Sequence, residues 1–248
     1  MTTESSQLIN SIPGAKSAFS AYLTLRRAAK RLLTRPKPAG QVFTEIYRRN
    51  KWGAKESISG TGSDLAQTET VRDQIPVVCH DFDIHTMLDI PCGDFNWMQH
   101  VPLDGIAYTG ADIVAELAEQ NARHETSTIH FRTLNLIHDT LPRADLVFCR
   151  DCLVHLSFAD VFSALRNVCQ SGSTYLLTTT FTNRRRNGDI ATGQWRPLNL
   201  EAAPFYFSPP LRTINEHCSE AGGAWNDKSL GMWKVSDIAA CLAEHQAI

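Results

Sequence analysis

The chain has 248 residues, 43% of them hydrophobic and 20% charged, the make-up of a folded globular protein rather than a disordered, collagenous or membrane-bundle chain. Its formal net charge of -2 hides an asymmetry: residues 1–40 hold seven Lys/Arg against Glu4 alone, a net +6, which leaves -8 for the rest. A body that acidic suits duplex nucleic acid poorly, and no nucleic-acid partner is expected.

Residues 1–15 are rich in Ser, Thr and Gly. From Lys16 to Thr34 apolar residues share a helical stretch with cations until Arg35-Pro-Lys-Pro-Ala-Gly40 breaks it. Such a basic helix suits an anionic membrane surface, contacted through residues 16–37, and equally a solvated appendage or a helix packed on its own domain. Residues 1–40 are therefore set apart as a basic helical extension, and 41–248 as the main domain. There is no run of 18 apolar residues and no cleavable signal pattern. Seven scattered cysteines read as reduced thiols, which points to the cytoplasm, at the inner membrane surface if the basic helix docks there. Cys149-Arg-Asp-Cys152 lacks a second pair of ligands, so no metal is expected.

A short helix is expected around Val42–Arg49, followed by a polar, glycine-rich segment, 50–63, with Trp52, Glu56 and Ser63 embedded in it. It suits a lid that wraps a polar ligand, or a plain connecting loop. Ser63 then reads as the N-cap of a helix running to Gln74, with another turn started by Pro76. Beyond residue 84, strands (Ile84–Ile90, Ile106–Ala111, Thr128–Leu134, Asp145–Cys149, Thr174–Phe181) alternate with helices (Phe95–Val101, Val114–Arg123, Phe158–Cys169). That alternation predicts an α/β fold with a parallel sheet covered on both faces. An insertion, 182–210, follows, then a helix at Leu211–Ala221, a strand at Gly231–Val235 and a terminal helix at Asp237–His245.

Ligands of such sheets sit at the carboxyl ends of the strands. Asp89 closes the first strand and runs into Pro91-Cys92-Gly93, where a ligand can approach the backbone closely. Asp112 closes the second, where a carboxylate can accept two hydrogen bonds from a ribose diol. Together they point to a nucleoside, with the Asn135 amide for an adenine edge and Ile113 and Leu136 to sandwich the ring. Arg150, Asp151 and His155 follow the fourth strand and face the expected reaction centre. Asp151 and His155 are candidates for a base or an orienting group, with Glu56 of the lid as a third. His155 reads equally well as a packed histidine at a helix start.

The succession Leu88-Asp89-Ile90-Pro91-Cys92-Gly93, Asp112, Asn135 with Leu141-Pro142, and Asp145 through His155 resembles the class I S-adenosylmethionine-dependent methyltransferases. The segment from Trp52-Gly through Glu56-Ser to Ser63 is similar to one that precedes the core in a bacterial branch of that superfamily. The resemblance implies a Rossmann-like, seven-stranded, mostly parallel sheet with a final antiparallel strand and S-adenosyl-L-methionine across the first two strand ends. It puts Asp89, Pro91, Cys92 and Gly93 by the methionine moiety, Asp112 on the ribose, Asn135, Ile113 and Leu136 at the adenine, and Trp52 and Arg150 among the cofactor contacts. The chain departs from the acid-x-Gly-x-Gly-x-Gly loop, with Pro91 and Phe95 at the outer glycine positions, so Phe95 must point away from the ligand.

The implied activity is methyl transfer to a small-molecule or glycan-like acceptor, on oxygen. Trp195, Phe205, Tyr206 and Phe207 with Arg184–Arg186 are the residues for an acceptor pocket. One alternative is a catalytically silent binding or interaction protein of the same fold. The other is a dinucleotide-dependent oxidoreductase, disfavoured because Pro91 removes an N–H and Asp94 sets a negative charge where a pyrophosphate would lie.

Overall fold

Parallel strands buried on both faces need apolar runs, and the chain's most apolar short runs became the middle of its sheet. In the computed structural model, which describes residues 37–245, Leu146–Cys149 (β4) is buried at every position and Tyr175–Phe181 (β5) at all but the first. Thr86–Asp89 (β1), Ala107–Asp112 (β2) and Ile129–Thr133 (β3) complete the parallel half. Arg212–Asn215 (β6) and Lys228–Lys234 (β7) complete the sheet in the order β3-β2-β1-β4-β5-β7-β6, with β7 the one strand that runs against the others. The strand order reverses between β1 and β4, so a crevice opens at the carboxyl ends there.

Helices cover both faces. Ala39–Arg48 (α1) precedes the sheet, Glu69–Asp81 (α2) leads into β1, Ala115–Asn121 (α3) follows β2, Phe158–Gln170 (α4) follows β4, and Val235–His245 (α5) closes the domain. The start of α4 is set by Ser157, whose hydroxyl accepts from the Asp160 amide at 3.2 Å. The chain divides into two units, Met1–Pro38 and Ala39–Ile248, and these elements all belong to the second. The basic helix expected at 16–34 lies outside the described residues. Among the described residues no helix is long and apolar enough to cross a membrane.

Three expected elements differ. The helix expected from Ser63 starts only at Glu69, after a 3-10 turn at Thr61–Ser63, and it runs through Pro76 instead of restarting there. An interior proline costs about 3 kcal/mol. Here Val71, Ile75 and Val78, at helical spacing, bury one continuous face that outweighs it. The helix expected at Phe95–Val101 is a run of turns with one 3-10 turn at Met98–His100, because Phe95 adopts a left-handed backbone (φ 58°). The helix expected at Leu211–Ala221 is instead β6, a loop, and the start of a single helical turn at Glu220–Gly223. Burial alternates there with period two through Ile214, Glu216 and Cys218, and Pro209-Pro210 disfavours a helical start.

Residues 182–210 contain no helix or strand, yet they are packed. Leu198, Leu200 and Phe205 are fully buried, and the amide of Phe181 at the end of β5 donates to the Leu198 carbonyl at 2.8 Å.

Candidate active site

A cavity of about 400 Å³ lies at the carboxyl ends of the parallel strands, beneath the 50–63 segment. Asp89 and Asp112 both line it, at the ends of the adjacent strands β1 and β2. Asp112 is oriented by main chain: its Oδ2 accepts from the Gly93 amide at 3.1 Å and its Oδ1 from the Val114 amide at 2.9 Å. Burial pushes its carboxyl up to about 6, against those amide bonds. Asp89 is more enclosed, with Oδ2 accepting from the Tyr108 hydroxyl at 2.6 Å, and burial pushes it up to about 8.

Gly93 is needed for its backbone and for its bareness. Its φ is +58°, and a Cβ there would stand 2.3 Å from the Ser59 hydroxyl. The sequence suggests a close approach by ligand at this glycine, whereas the neighbour pressed against it is the lid. The next residue holds that lid down: Asp94 accepts from the Ser57 hydroxyl at 2.9 Å and from the Ile58 amide at 2.9 Å. Phe95 then turns inward, 3% exposed, with its ring against Tyr108, His124 and Phe131. Pro91 and Cys92 also line the cavity, and burial holds the Cys92 thiol well above its ordinary value, hence protonated.

Beside β1 stands β4, and the residues after it form a buried group of charges. The Arg150 guanidinium donates through Nη2 to Glu216 Oε2 at 2.7 Å and to the Gly62 carbonyl at 2.8 Å. Lys228 Nζ lies 2.6 Å from Asp151 Oδ2 and 3.4 Å from Glu216 Oε2. Lys228 reaches the cavity because β7 is antiparallel: its first residue pairs with Phe181, the last of β5. Asp151 has a left-handed backbone (φ 52°), an uncommon state for a non-glycine residue, and its amide is fixed on the Thr179 hydroxyl at 2.8 Å. Burial raises its carboxyl, but Lys228 and Arg150 outweigh this and hold it well below the usual range. Burial and the Arg150 charge likewise oppose the Lys228 ammonium, and the Asp151 and Glu216 carboxylates keep it charged.

His155 lines the same cavity with its ring centroid 5.1 Å from that of Trp52. Its Nδ1 is 3.0 Å from the Gln194 carbonyl, which can only accept, so Nδ1 carries the proton and Nε2 a lone pair. Burial lowers its pKa, against the Asp151 charge, so the ring is neutral at pH 7. Trp195 and Trp225, ring centroids 4.7 Å apart, add a further aromatic wall.

The cavity thus brings together ten of the residues singled out by sequence, namely Trp52, Asp89, Pro91, Cys92, Gly93, Asp112, Ile113, Arg150, Asp151 and His155. Three others do not line it. Asn135 uses its side-chain oxygen to accept from the Ile137 amide at 2.9 Å, and Leu136 is buried in the core. Glu56 pins the lid from outside, accepting from the Leu65 amide at 2.7 Å and from Asn96 Nδ2 at 3.1 Å. Of the expected acceptor aromatics only Trp195 lines the cavity: Phe205 and Phe207 are core residues, and Arg184 is paired with the buried Asp227 at 2.8 Å.

Sequence reading missed Glu216, Glu220, Lys228 and Trp225. The first was hidden by the mistaken helix at Leu211–Ala221, and Lys228 by a strand begun three residues too late. Cys152 also lines the cavity; its hydrogen bond with Cys149 and its burial keep it a thiol. Among the described residues no three His, Cys, Asp or Glu side chains gather as a metal ion requires.

No model of a known protein family matches the chain, and no curated protein matches its sequence. Solved structures do. The 1,6-didemethyltoxoflavin-N1-methyltransferase of Burkholderia thailandensis, solved with its 1,6-didemethyltoxoflavin and S-adenosylhomocysteine, is similar over 79% of this chain and 86% of its own. The identity is 14% and the TM-score 0.55. Human N-acetylserotonin methyltransferase, solved with S-adenosylmethionine, is similar over 89% of this chain and 68% of its own, at 14% identity and a TM-score of 0.54. The N-methyltransferase NodS of Bradyrhizobium japonicum WM9, solved with S-adenosylhomocysteine, covers 76% of this chain and 97% of its own, at 12% identity and a TM-score of 0.52. At such identities the likeness is one of architecture: the chain has the fold of the class I S-adenosylmethionine-dependent methyltransferases.

Proposed function

We propose that the protein is an S-adenosylmethionine-dependent methyltransferase acting on an oxygen of a small-molecule or glycan-like acceptor. The observation that carries this reading is the pair of carboxylates, Asp89 and Asp112, at adjacent strand ends in one cavity. Asp112, aimed by two amides, still has lone pairs for a ribose diol, while Asp89, Pro91, Cys92 and Gly93 suit the methionine end, whose positive charge would draw the Asp89 carboxyl, held up by burial, into its ionised form. Ile113 supplies an apolar face for adenine. A dinucleotide fits less well, because the bare face of Gly93 that a pyrophosphate needs is covered by Ser59, and Asp94 brings a negative charge beside it.

When bound, S-adenosylmethionine supplies a methyl group whose bond to a cationic sulfur breaks as an acceptor lone pair forms the new bond. The protein's part is to align the acceptor, exclude water and take a proton. His155 is suited to take that proton, because it is neutral and its Nε2 lone pair belongs to a ring whose tautomer Gln194 fixes. Asp151 orients the acceptor rather than taking its proton, since its low pKa makes it a poor base.

Calorimetry with S-adenosylhomocysteine tests the reading. The wild type is expected to bind at micromolar affinity and Asp112→Ala to lose at least about tenfold, the worth of one or two charge-assisted hydrogen bonds. Binding of NAD in its place would sink the proposal. With turnover in hand, His155→Ala is expected to lose the acid limb of the pH–rate profile, and an unchanged profile removes it as the base.

A further inference from the structure

The charged group at the end of β4 and the start of β7 is more than a brace. Lys228 Nζ has three N–H donors: one is directed at Asp151 Oδ2 (2.6 Å), Glu216 Oε2 lies at ion-pair distance (3.4 Å), and among the described residues no further hydrogen-bond partner is present. Lys228 lines the cavity although it is 4% exposed. Its partner is unsaturated too: Asp151 Oδ1 receives only a long bond, 3.4 Å, from the Thr179 hydroxyl, and the carboxyl is a quarter open to the cavity. A free donor and a free acceptor therefore stand side by side on two residues already in contact. The left-handed backbone of Asp151 and the antiparallel start of β7 are what set them there.

We infer that Asp151 and Lys228 together read two neighbouring oxygens of the acceptor, Asp151 accepting from one hydroxyl and Lys228 donating to the next, so that the acceptor is a neutral polyol. This rests on the methyl-transfer reading of the same cavity. Charge decides against the other classes. An ammonium drawn to Asp151 would press on Lys228 and Arg150, and a carboxylate or phosphate drawn to Lys228 would press on Asp151 and Glu220, so a charged acceptor loses on one partner what it gains on the other. A flat apolar ring laid on the pair would strip water from two charges and return no hydrogen bond. Hydroxyl groups replace that water one for one, and Trp52, Trp195 and Trp225 line the same cavity with aromatic surface suited to the C–H side of a sugar ring.

The test follows label from methyl-tritiated S-adenosylmethionine into two panels, the methyl glycosides of glucose, galactose, mannose, rhamnose and fucose, and the phenols catechol, guaiacol and 4-methylphenol. Transfer is expected to at least one glycoside. Its deoxy analogue, lacking the hydroxyl beside the methylated one, is expected to fall at least about tenfold in kcat/KM. In Lys228→Met that gap between glycoside and deoxy analogue closes, an effect a merely structural lysine does not produce. Should Lys228→Met fail to fold, Lys228→Arg keeps the charge with a different reach and is expected to narrow the gap. Affinity for S-adenosylhomocysteine within twofold of wild type shows that either variant is intact. Transfer to phenols and not to glycosides, no transfer to either panel while S-adenosylhomocysteine binds, or an unchanged gap in the intact variants overturns the inference and leaves the methyltransferase reading standing. Failure of the wild type to bind S-adenosylhomocysteine overturns both.

Discussion

At the Asp89–Asp112 side of the cavity, the functional groups are held by main-chain amides and by residues close in sequence, as Gly93 and Val114 hold Asp112. At the Asp151–Lys228 side, Arg150 finds Glu216 and Asp151 finds Lys228 across more than sixty residues of chain, through ion pairs in a buried setting. The first side follows from the strands themselves, since amides at a strand end point where the sheet directs them. The second exists only once β6 and β7 have docked. One side is therefore expected to fail in binding, and the other in folding.

Arg150→Met puts that contrast to its severest test. It leaves the Glu216 carboxylate, whose Oε1 is already buried without a partner, with only the 3.4 Å contact to Lys228, so a loss of about 3–5 kcal/mol in denaturant unfolding is expected. Stability near wild type with S-adenosylhomocysteine binding abolished would reverse the assignment of the two sides. Gly93→Ala comes next. Its Cβ collides with Ser59 and its backbone is strained, for a cost of about 1–3 kcal/mol in stability. Its larger effect is expected in calorimetry, where the displaced lid and Asp112 weaken binding by at least about tenfold; binding untouched at equal stability breaks the contrast from the other side.

The third effect is with pH. Asp89 and Asp112, at about 8 and about 6, keep protons in the folded state that an unfolded chain has lost above about pH 4. Their contribution to stability is therefore full in acid and falls as pH rises towards 8. Asp151, held low, contributes in the opposite sense, with stability present at neutral pH and lost as pH falls below the ordinary carboxylate range. Asp89→Asn is expected to flatten the decline between pH 6 and 8 in thermal unfolding. A decline as steep in the variant as in the wild type would free Asp89 of that role.

The sequence conveys the parallel half of the fold well. Strand ends, short buried runs and the acids after β1 and β2 are local features, and a period of two or of a continuous apolar run marks them. What it conceals is non-local. Pro76 reads as a breaker because the burial of Val71, Ile75 and Val78 is known only after α2 has packed. Leu211–Ala221 reads as a helix because Glu216, a buried acid, breaks the alternation that the strand and its loop in fact follow. Glu216 is tolerated inside only through Arg150, an arginine from another strand end. The acceptor aromatics divide for a similar reason. Phe205 and Phe207 fill the core against α4 and β7, while Trp195 is left at the cavity by the bond that carries Gln194 to His155.

The segment over the cavity is fastened on both flanks, by Ser57 and Ile58 on Asp94 and by Thr61 on Glu220 and Gly62 on Arg150. A strap buckled at both sides does not hinge open from one. Releasing it surrenders anchors in the middle third and the last third of the chain, at Asp94, Arg150 and Glu220, in a single step. In the proposed methyl transfer, this would favour departure of both products in one opening event and tie the turnover rate to the strength of the buckles rather than to the chemistry beneath them.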